Sequence, residues 1–329
     1  MADAPSVAAG QSHLDVSYIL PIAAGRSQAR ALSGYLARIA RTVAEVIVVD
    51  GSPPPVFADH AKAWGGFVRH MRPGIRTPNG KVAGVMTGLA AARHERVIIA
   101  DDDVRYRRRE IQRMLALLGT HDVVRPQNYF HPRPWHARWD SARSLLARLS
   151  GGDWPGTLGV RRSLLLAAGG YSGDVLFENL EMVRTVKAAG GREAVALDVF
   201  VARRPPDARH FLSQRARQAY DEWARPAHFA SQLALLPAAL LGGSIAIFAL
   251  GAAAIVGAEM GRRRAGAARY FPPDSAVWVP AWLAERAVTA WIALGTRLFL
   301  GGARYRGGRL RTAATPSRVL RQRLEQVAQ

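Results

Sequence analysis

The sequence predicts an α/β protein, with a mainly parallel twisted sheet covered by helices on both faces and hydrophobic and amphipathic helices at its C-terminal end. Three observations carry this. Short, continuously apolar runs alternate with helical stretches over the first 225 residues, the pattern of strands buried on both faces. Two of those runs end in carboxylates, Asp50 and Asp101–Asp103. A later segment, Leu233–Ala258, runs 26 residues without one ionisable side chain.

In chain order, Val16–Leu20 is a short apolar run stopped by Pro21. A helical stretch from Ala29 to Thr42 follows, then the strand Glu45–Val49 running into Asp50-Gly51-Ser52. A Pro-rich turn, Pro53 to Pro55, opens another helix and leads to a short strand near Phe67–His70. The helix Val82–Arg93 precedes the strand Arg96–Ala100, which runs into the three aspartates. In sheets of this kind ligands sit at the C-terminal ends of the strands, so the edge carrying Asp50 and Asp101–Asp103 is the chemically loaded one.

The uncharged segment would be roughly 39 Å long as a helix at about 1.5 Å per residue, enough to cross a hydrocarbon core of about 30 Å. Pro237 and Gly242-Gly243 lie inside it, and a membrane insertion is preferred to a buried core helix because soluble helices seldom go so long uncharged. Arg262–Arg264 and a Pro272-Pro273 break follow, then Val277–Leu300 with Trp278, Trp282 and Trp291. On a helical projection Glu285, Arg286, Thr289, Thr296 and Arg297 share one sector. Both Arg262–Arg264 and the run Arg304, Arg306, Arg309, Arg311 favour the cytoplasmic side. The expectation is therefore a kinked or re-entrant insertion followed by an interfacial helix, its tryptophans at the interface and its arginines towards phosphates. No basic region followed by an apolar run opens the sequence, so no signal peptide is expected and the catalytic part should face the cytoplasm at the cell membrane. Residues 1–227 form the expected catalytic domain, and 228–329 a membrane-associating helical region with a basic tail.

The composition bounds the partners. The 329 residues carry a formal net charge of +20, from 45 Lys plus Arg against 25 Asp plus Glu; only Lys62, Lys81 and Lys187 are lysines. Half the chain (49%) is apolar and cysteine is absent, which excludes a disordered tail protein, a disulfide scaffold and a thiolate metal site. From His228 onward, 13 arginines face four carboxylates, a net +9 beside the uncharged stretch, which membrane phospholipids explain. No helix-turn-helix, zinc or RNA-binding signature supports a nucleic-acid partner.

Three consecutive aspartates repel one another and raise each other's pKa unless something cationic binds them, which Mg²⁺ or Mn²⁺ does with oxygen ligands. Asp101 and Asp103 have the spacing to reach one ion that also holds a diphosphate. A solvated turn or helix cap is the alternative for acidic residues at a strand end.

Taken together, the strand ending at Pro21, Val48-Val49-Asp50-Gly51-Ser52, Gly80-Lys81 opening a helix with Gly88-Leu89-Ala90-Ala91-Ala92, and Ile99-Ala100-Asp101-Asp102-Asp103-Val104 resemble a family 2 glycosyltransferase of GT-A fold, over about residues 14–225. The resemblance implies that Asp50 holds a nucleotide base, with Pro21, Gly51 and Ser52 beside it. It also implies that Lys81 lies near the donor, and that Asp101, Asp102 and Asp103 bind ribose and metal-diphosphate. Thr157–Arg162 with Gly169-Gly170-Tyr171 is similar to the family's acceptor-side segment. Leu176–Glu181 stands where the family has a Glu-Asp pair whose Asp is the general base; here that Asp is Asn179, which accepts no proton. Glu178 becomes the expected base with Glu181 in reserve, unless these carboxylates only cap a helix. Gln214-Arg215-Ala216-Arg217-Gln218 resembles the Gln-x-x-Arg-Trp motif of processive and lipid-directed members, with Gln in the Trp slot and Trp223 as its possible substitute. Gln214 would sit at the donor, Arg217 would stabilise the leaving diphosphate, and His210 is either a third metal ligand or a structural histidine.

His131, Trp135, His136, Trp139 and Trp154 either line an acceptor pocket or pack in a loop. The sequence thus points to metal-dependent, inverting transfer of a sugar from a nucleotide-diphosphate sugar to a lipid or membrane-associated acceptor. A nucleotidyltransferase is the enzymatic alternative, for which Ala23-Ala24-Gly25-Arg26 is only a faint loop. A basic membrane or nucleic-acid adaptor is the non-enzymatic one.

Overall fold

A computed structural model describes residues 12–305 and 308–328. The opening residues on which the signal-peptide expectation partly rests, and Arg306 of the basic run, lie outside the described residues. The elements follow the expected alternation: β1 (Leu14–Ile22), α1 (Ala29–Ala40), β2 (Val43–Asp50), α2 (Pro54–Trp64), β3 (Arg69–Met71), α3 (Gly80–Ala91), β4 (Arg96–Ala100), β5 (Val104–Arg105), α4 (Arg108–Leu118), β6 (Val123–Phe130) and α5 (Trp135–Ala147). Then come β7 (Thr157–Arg161), α6 (Arg162–Ala167), α7 (Glu178–Ala188), β8 (Glu193–Arg203), α8 (Ala208–Ser213), α9 (Arg215–Tyr220), α10 (Pro226–Arg263), α11 (Val279–Phe299), the hairpin β9 (Ala303–Tyr305) and β10 (Gly308–Leu310), and α12 (Ser317–Ala328).

One eight-stranded sheet has the order β3-β2-β1-β4-β7-β6-β8-β5. Its first four strands are parallel, with Ile19 opposite Ile47 and Ile99; β7 is antiparallel to both neighbours, β6 and β8 are parallel, and β5 is antiparallel to β8. The apolar runs are continuous because each strand is buried twice. Tyr18, Leu20, Val48 and Ile98 pack with α1 and α4 on one face; Ile19, Ile47, Val49 and Ile99 pack with α3 and α7 on the other. Each such side chain contributes about 1.5–3 kcal/mol when fully buried. Pro21 does not stop β1, which runs one residue further with its backbone paired to β2 through Ile22 and Asp50.

Helix α3 lies unusually close to β1 because two glycines face the strand. A Cβ at Gly84 would come 2.9 Å from Pro21 Cβ, and one at Gly88 2.6 Å from Ile19 Cγ2. This approach sets Lys81, in the first turn of α3, over the strand ends. Asn79 caps the helix, its side chain accepting the Lys81 N–H at 3.2 Å.

Packing is continuous across residue 227. Ala142, Leu145 and Phe200 share a core with Ala258, Phe271, Val279 and Trp282, and Leu176 and Tyr220 share another with Phe229, Ala290 and Ala293. Beyond α11 the chain returns to the N-terminal part: Leu176 N donates to Thr312 O at 3.0 Å and Phe177 N to Ala313 O at 2.8 Å.

Helix α10 contains the uncharged stretch and kinks at Gly243, whose φ of 57° and ψ of −150° suit only glycine. It is long and apolar enough to cross a membrane, and its most apolar window is not buried within the protein; Leu241 is 90% exposed and Phe248 79%. It is therefore not a core helix. Helix α11 reverses the expected orientation. Arg286, Thr289 and Trp282 are buried, on a helix packed against α5 and α9, and Arg297 stacks on Trp223 and donates to Arg311 O. Its apolar side, including Val288, Ile292 and Leu298, is the exposed one. An ionised sector can turn inward here because Arg215 approaches Glu285 at 3.5 Å. The basic cluster is also partly spent internally: Arg262 and Arg263 pair with Glu259, and Arg264 donates to the carbonyls of Arg148 and Leu149.

Candidate active site

The strand ends of β1, β2 and β4 open into a cleft of about 720 Å³. Pro21, Gly51, Lys81, Asp101, Asp102, Asp103 and His210 line it, with Arg72, Arg76, Arg203 and Tyr305 that the sequence patterns did not single out. A second cavity, of about 170 Å³, shares Asp101 and Arg203 with the first and is lined by Trp154, Glu178, Asn179, Arg217, Asp221 and Arg286, among others. The two spaces therefore meet at the end of β4.

Lys81 ties the sites together. Its Nζ lies 2.5 Å from Asp101 Oδ1 and 2.7 Å from Glu178 Oε1. Burial works against its charge, but the two carboxylates outweigh that and hold the ammonium protonated. Arg203, at the end of β8, puts Nε 2.7 Å from Asp103 Oδ2 and Nη2 3.8 Å from Asp101 Oδ2. The pairing of β8 with β5, which sets Arg203 opposite Val104, and with β6 brings it there, so no local pattern announces it.

Burial, then the neighbouring Asp101 charge, raises the pKa of Asp102; burial raises that of Asp103 against the pull of Arg203, with Asp101 adding to the rise. Asp103 Oδ1 is buried without a hydrogen-bond partner. An orphaned carboxylate oxygen among hard oxygen donors fits a divalent cation such as Mg²⁺ or Mn²⁺. His210, exposed at the edge of α8, lines the same cleft.

Asp50 is placed differently. It is fully buried, and Val49 and Gly51, not Asp50 or Ser52, line the cleft. Asp50 Oδ1 accepts the Ser52 N–H at 2.8 Å, and Oδ2 lies 2.7 Å from His60 Nδ1 and 3.1 Å from His70 Nε2. Burial alone would raise its pKa, but the bonds from Ser52, His60 and His70 prevail and hold the carboxyl below its usual range. The ligand atoms of these three residues lie within 4.8 Å of one another, a metal-like spacing. The Gln28 N–H, however, donates to His60 Nε2 at 2.7 Å, so the His60 proton sits on Nδ1 and points at Asp50. A metal at Nδ1 would push that proton onto Nε2, against the Gln28 N–H. The trio thus reads as hydrogen-bonded support for the end of β2. Ser52 serves the same loop, its Oγ accepting the Ala24 N–H at 2.9 Å.

Glu178 opens α7 and lines the smaller cavity. Asn179 sits beside it with Nδ2 donating to Pro155 O at 2.9 Å. Glu181 corrects the expectation of a reserve base: it is fully buried, its Oε2 accepts the Thr315 N–H at 2.6 Å, and it lines neither cavity. One helical turn after Glu178, it meets the returning C-terminal segment rather than the site. Arg217 lines the smaller cavity with its Nε held by Gln214 Oε1 at 2.7 Å, so Gln214 supports Arg217 without lining the larger cleft.

The aromatic group divides. Trp135, His136 and Trp139 pack around Phe211, His131 is exposed, and Trp154 lines the smaller cavity between Phe177 and the Arg125 guanidinium. Trp223 does not take up a stacking place at the cavity; it packs on Phe229 and under Arg297. Asp221, which the sequence reading did not single out, enters the cavity from the turn after α9; its only sequence signal is a position four residues beyond Arg217.

Residues 29–165 match the family model described as glycosyl transferase family 2. Among solved structures, a mannosyltransferase from Pyrobaculum calidifontis in complex with GDP-Man and Mn²⁺ aligns with a TM-score of 0.50 at 22% identity, over 86% of this chain and 88% of that chain. Glucosyl-3-phosphoglycerate synthase from Mycobacterium tuberculosis, in complex with Mn²⁺ and UDP-glucose, aligns with a TM-score of 0.42 at 20% identity, over 59% of this chain and 73% of that chain. Mannosyl-3-phosphoglycerate synthase from Rubrobacter xylanophilus aligns with a TM-score of 0.42 at 16% identity, over 61% and 70%. No curated protein matches the sequence. The family match favours sugar transfer over the nucleotidyltransferase and adaptor alternatives. Residues 29–165, less than half of the chain, thus carry the glycosyl transferase family 2 match, and the chain as a whole has the GT-A fold.

Proposed function

We infer that the enzyme transfers a sugar from a nucleotide-diphosphate sugar to a hydroxyl of a lipid or membrane-associated acceptor, with inversion at the anomeric carbon. The meeting of two cavities at Asp101 and Arg203 carries this reading. The larger, with Lys81, Arg72 and Arg76 on its wall, suits a nucleoside diphosphate; the Pyrobaculum calidifontis neighbour holds GDP-Man with Mn²⁺. The smaller admits the acceptor, so attack comes from the side away from the leaving group.

Asp101 and Asp103, with His210, would hold Mg²⁺ or Mn²⁺, which when bound compensates charge on the diphosphate. Asp102 and Pro21 shape the donor wall, and the Asp50 loop places Gly51 against it. Lys81 offers its ammonium to the diphosphate, and Arg217, fixed by Gln214, stabilises the departing charge. A carboxylate of the smaller cavity takes the acceptor proton. The exposed apolar sides of α10 and α11 rest in or on the membrane, which favours an acceptor presented there, with the catalytic part on the cytoplasmic side.

The test is a thermal-shift panel of UDP- and GDP-sugars with Mn²⁺ on the detergent-solubilised protein, followed by radiolabelled donors with membrane lipid extract. One nucleotide should raise the Tm in the presence of Mn²⁺ only, and its sugar should enter the lipid fraction. Asp103→Ala should lose both responses; transfer by this variant at the wild-type rate would refute the metal assignment.

A further inference from the structure

The smaller cavity holds a carboxylate better placed to take the acceptor proton than either residue of the family's usual segment. Asn179 is an amide fixed to Pro155 O. Glu178 is engaged by the Lys81 ammonium, which also bridges to Asp101, so proton transfer to Glu178 would weaken the contact that organises the donor side. Glu181 is tied to Thr315.

Asp221 has none of these commitments. It begins the 3₁₀ turn Asp221–Ala224 directly after α9, lines the same cavity as Asp101 and Glu178, and presents Oδ1 buried without a hydrogen-bond partner. It follows Arg217 by four residues along a nearly continuous helical path, which puts the two side chains on one face. A buried carboxylate oxygen with no donor is costly unless a ligand supplies one, and an acceptor hydroxyl entering the cavity that Asp221 lines is such a donor.

We propose that Asp221 is the general base of the transfer. The inference rests on the sugar-transfer reading above and names its proton acceptor. The acceptor O–H gives its proton to the Asp221 carboxylate, and the freed oxygen pair forms the bond to the anomeric carbon. The bond from that carbon to the diphosphate oxygen breaks, its electrons leaving on the nucleoside diphosphate. Asp221 later returns the proton to water.

The surroundings tune this carboxyl for the task. Burial pushes its pKa up to about 7; Arg217 on α9 and Arg286 on α11 oppose the rise, while Glu178 on α7 and the adjacent Glu222 add to it. Asp101 and Arg203 close the donor end of the same cavity. A base titrating near neutral pH is half available there and still strong enough to accept a hydroxyl proton.

The experiment compares wild type, Asp221→Asn, Asp221→Glu and Glu178→Gln, using the donor selected by the thermal-shift panel, membrane lipid extract as acceptor, and kcat measured from pH 5 to 9. Wild type should show an acidic limb with an apparent pKa near 7. Asp221→Asn should lose about 10²–10⁴-fold in kcat and lose the limb, while its Mn²⁺-dependent donor shift stays within about twofold of wild type. Asp221→Glu should recover part of the rate and the limb. Because a raised folded-state pKa makes the protein less stable as pH rises towards and past 7, the Tm of wild type should fall more steeply from pH 5 to 8 than that of Asp221→Asn. Wild-type rate and limb in Asp221→Asn, with the limb removed by Glu178→Gln, would overturn this assignment and leave sugar transfer standing. Absence of transfer by wild type from every donor would overturn both.

Discussion

Replacing Gly88 by alanine tests whether the approach of α3 to β1 positions the donor site. The added Cβ would lie 2.6 Å from Ile19 Cγ2 and 3.1 Å from its Cδ1, whereas carbon pairs rest at about 3.5–4.0 Å. Either α3 moves outward by about 1 Å or Ile19, fully buried between β2 and β4, leaves its rotamer. Overpacking of this kind costs about 1–3 kcal/mol, and alanine returns about 1 kcal/mol of helix propensity, leaving a net loss of about 0–2 kcal/mol. A double-mutant cycle removes that ambiguity. Ile19→Ala alone should cost about 2–5 kcal/mol through the cavity it leaves, and adding Gly88→Ala to it should cost nothing further or restore stability. The coupling should reach about 1–2 kcal/mol, read from urea unfolding in detergent with an unchanged m-value. Gly88→Ala should also weaken Mn²⁺-dependent donor binding, because Lys81 rides on the displaced helix, and Ile19→Ala should restore part of it. Additivity within about 0.5 kcal/mol, with donor binding untouched, would refute this account of how Lys81 is placed.

Three further outcomes follow from the same geometry. Lys81→Met should weaken nucleoside-diphosphate binding about 10–100-fold, the worth of one charge-assisted contact of about 1.5–3 kcal/mol; titration calorimetry showing less than a twofold change would remove Lys81 from the donor site. Asp140 is held at about 2: burial works against its ionised form, but Arg143 and Arg215 outweigh it. Its stabilisation is present above the ordinary carboxylate range near 4 and is lost as pH falls through about 2. Asp140→Asn should therefore cost about 2 kcal/mol at pH 6 and clearly less at pH 2, and equal losses at both would contradict the ion-pair assignment. Leu241→Asp with Phe248→Asp places charges on the most exposed part of α10 and should move the protein from the membrane pellet to the soluble fraction, since each charge costs about 2.5–3.5 kcal/mol at a bilayer centre; retention in the pellet would refute membrane contact through this surface.

Much of the catalytic half was legible in the sequence because its signals are local. Strands buried on both faces have to be apolar throughout, so Glu45–Val49 and Arg96–Ala100 declared themselves, and carboxylates at their ends marked the loaded edge. Lys81 and Gly88 were placed on one helix by their motifs, while the close approach of that helix to β1, which Gly84 shares, shows only in the structure. The uncharged stretch of α10 was equally plain, since length and lack of charge are sequence properties.

What the sequence left undecided depends on residues far apart in the chain. The amphipathic character of α11 was readable, but the sign of its orientation was not: a polar sector serves equally well against headgroups or against Arg215 and the cavity, and only packing against α5, α9 and α10 chose the second. Glu178 and Glu181 look interchangeable in sequence, yet the returning segment at Thr315 claims Glu181 and Lys81 claims Glu178. Asp50 ends its strand as expected, but His60 and His70, brought in by α2 and β3, turn its carboxylate inward. Arg203 and Asp221 join the site through the pairing of β8 and the turn after α9. The sequence by itself determined the strands, the aspartate edge and the apolar helix, because periodicity and charge act over a few residues. The tertiary structure alone decided which carboxylate is free, because a buried charge is assigned its role by the partners that folding places within hydrogen-bond reach.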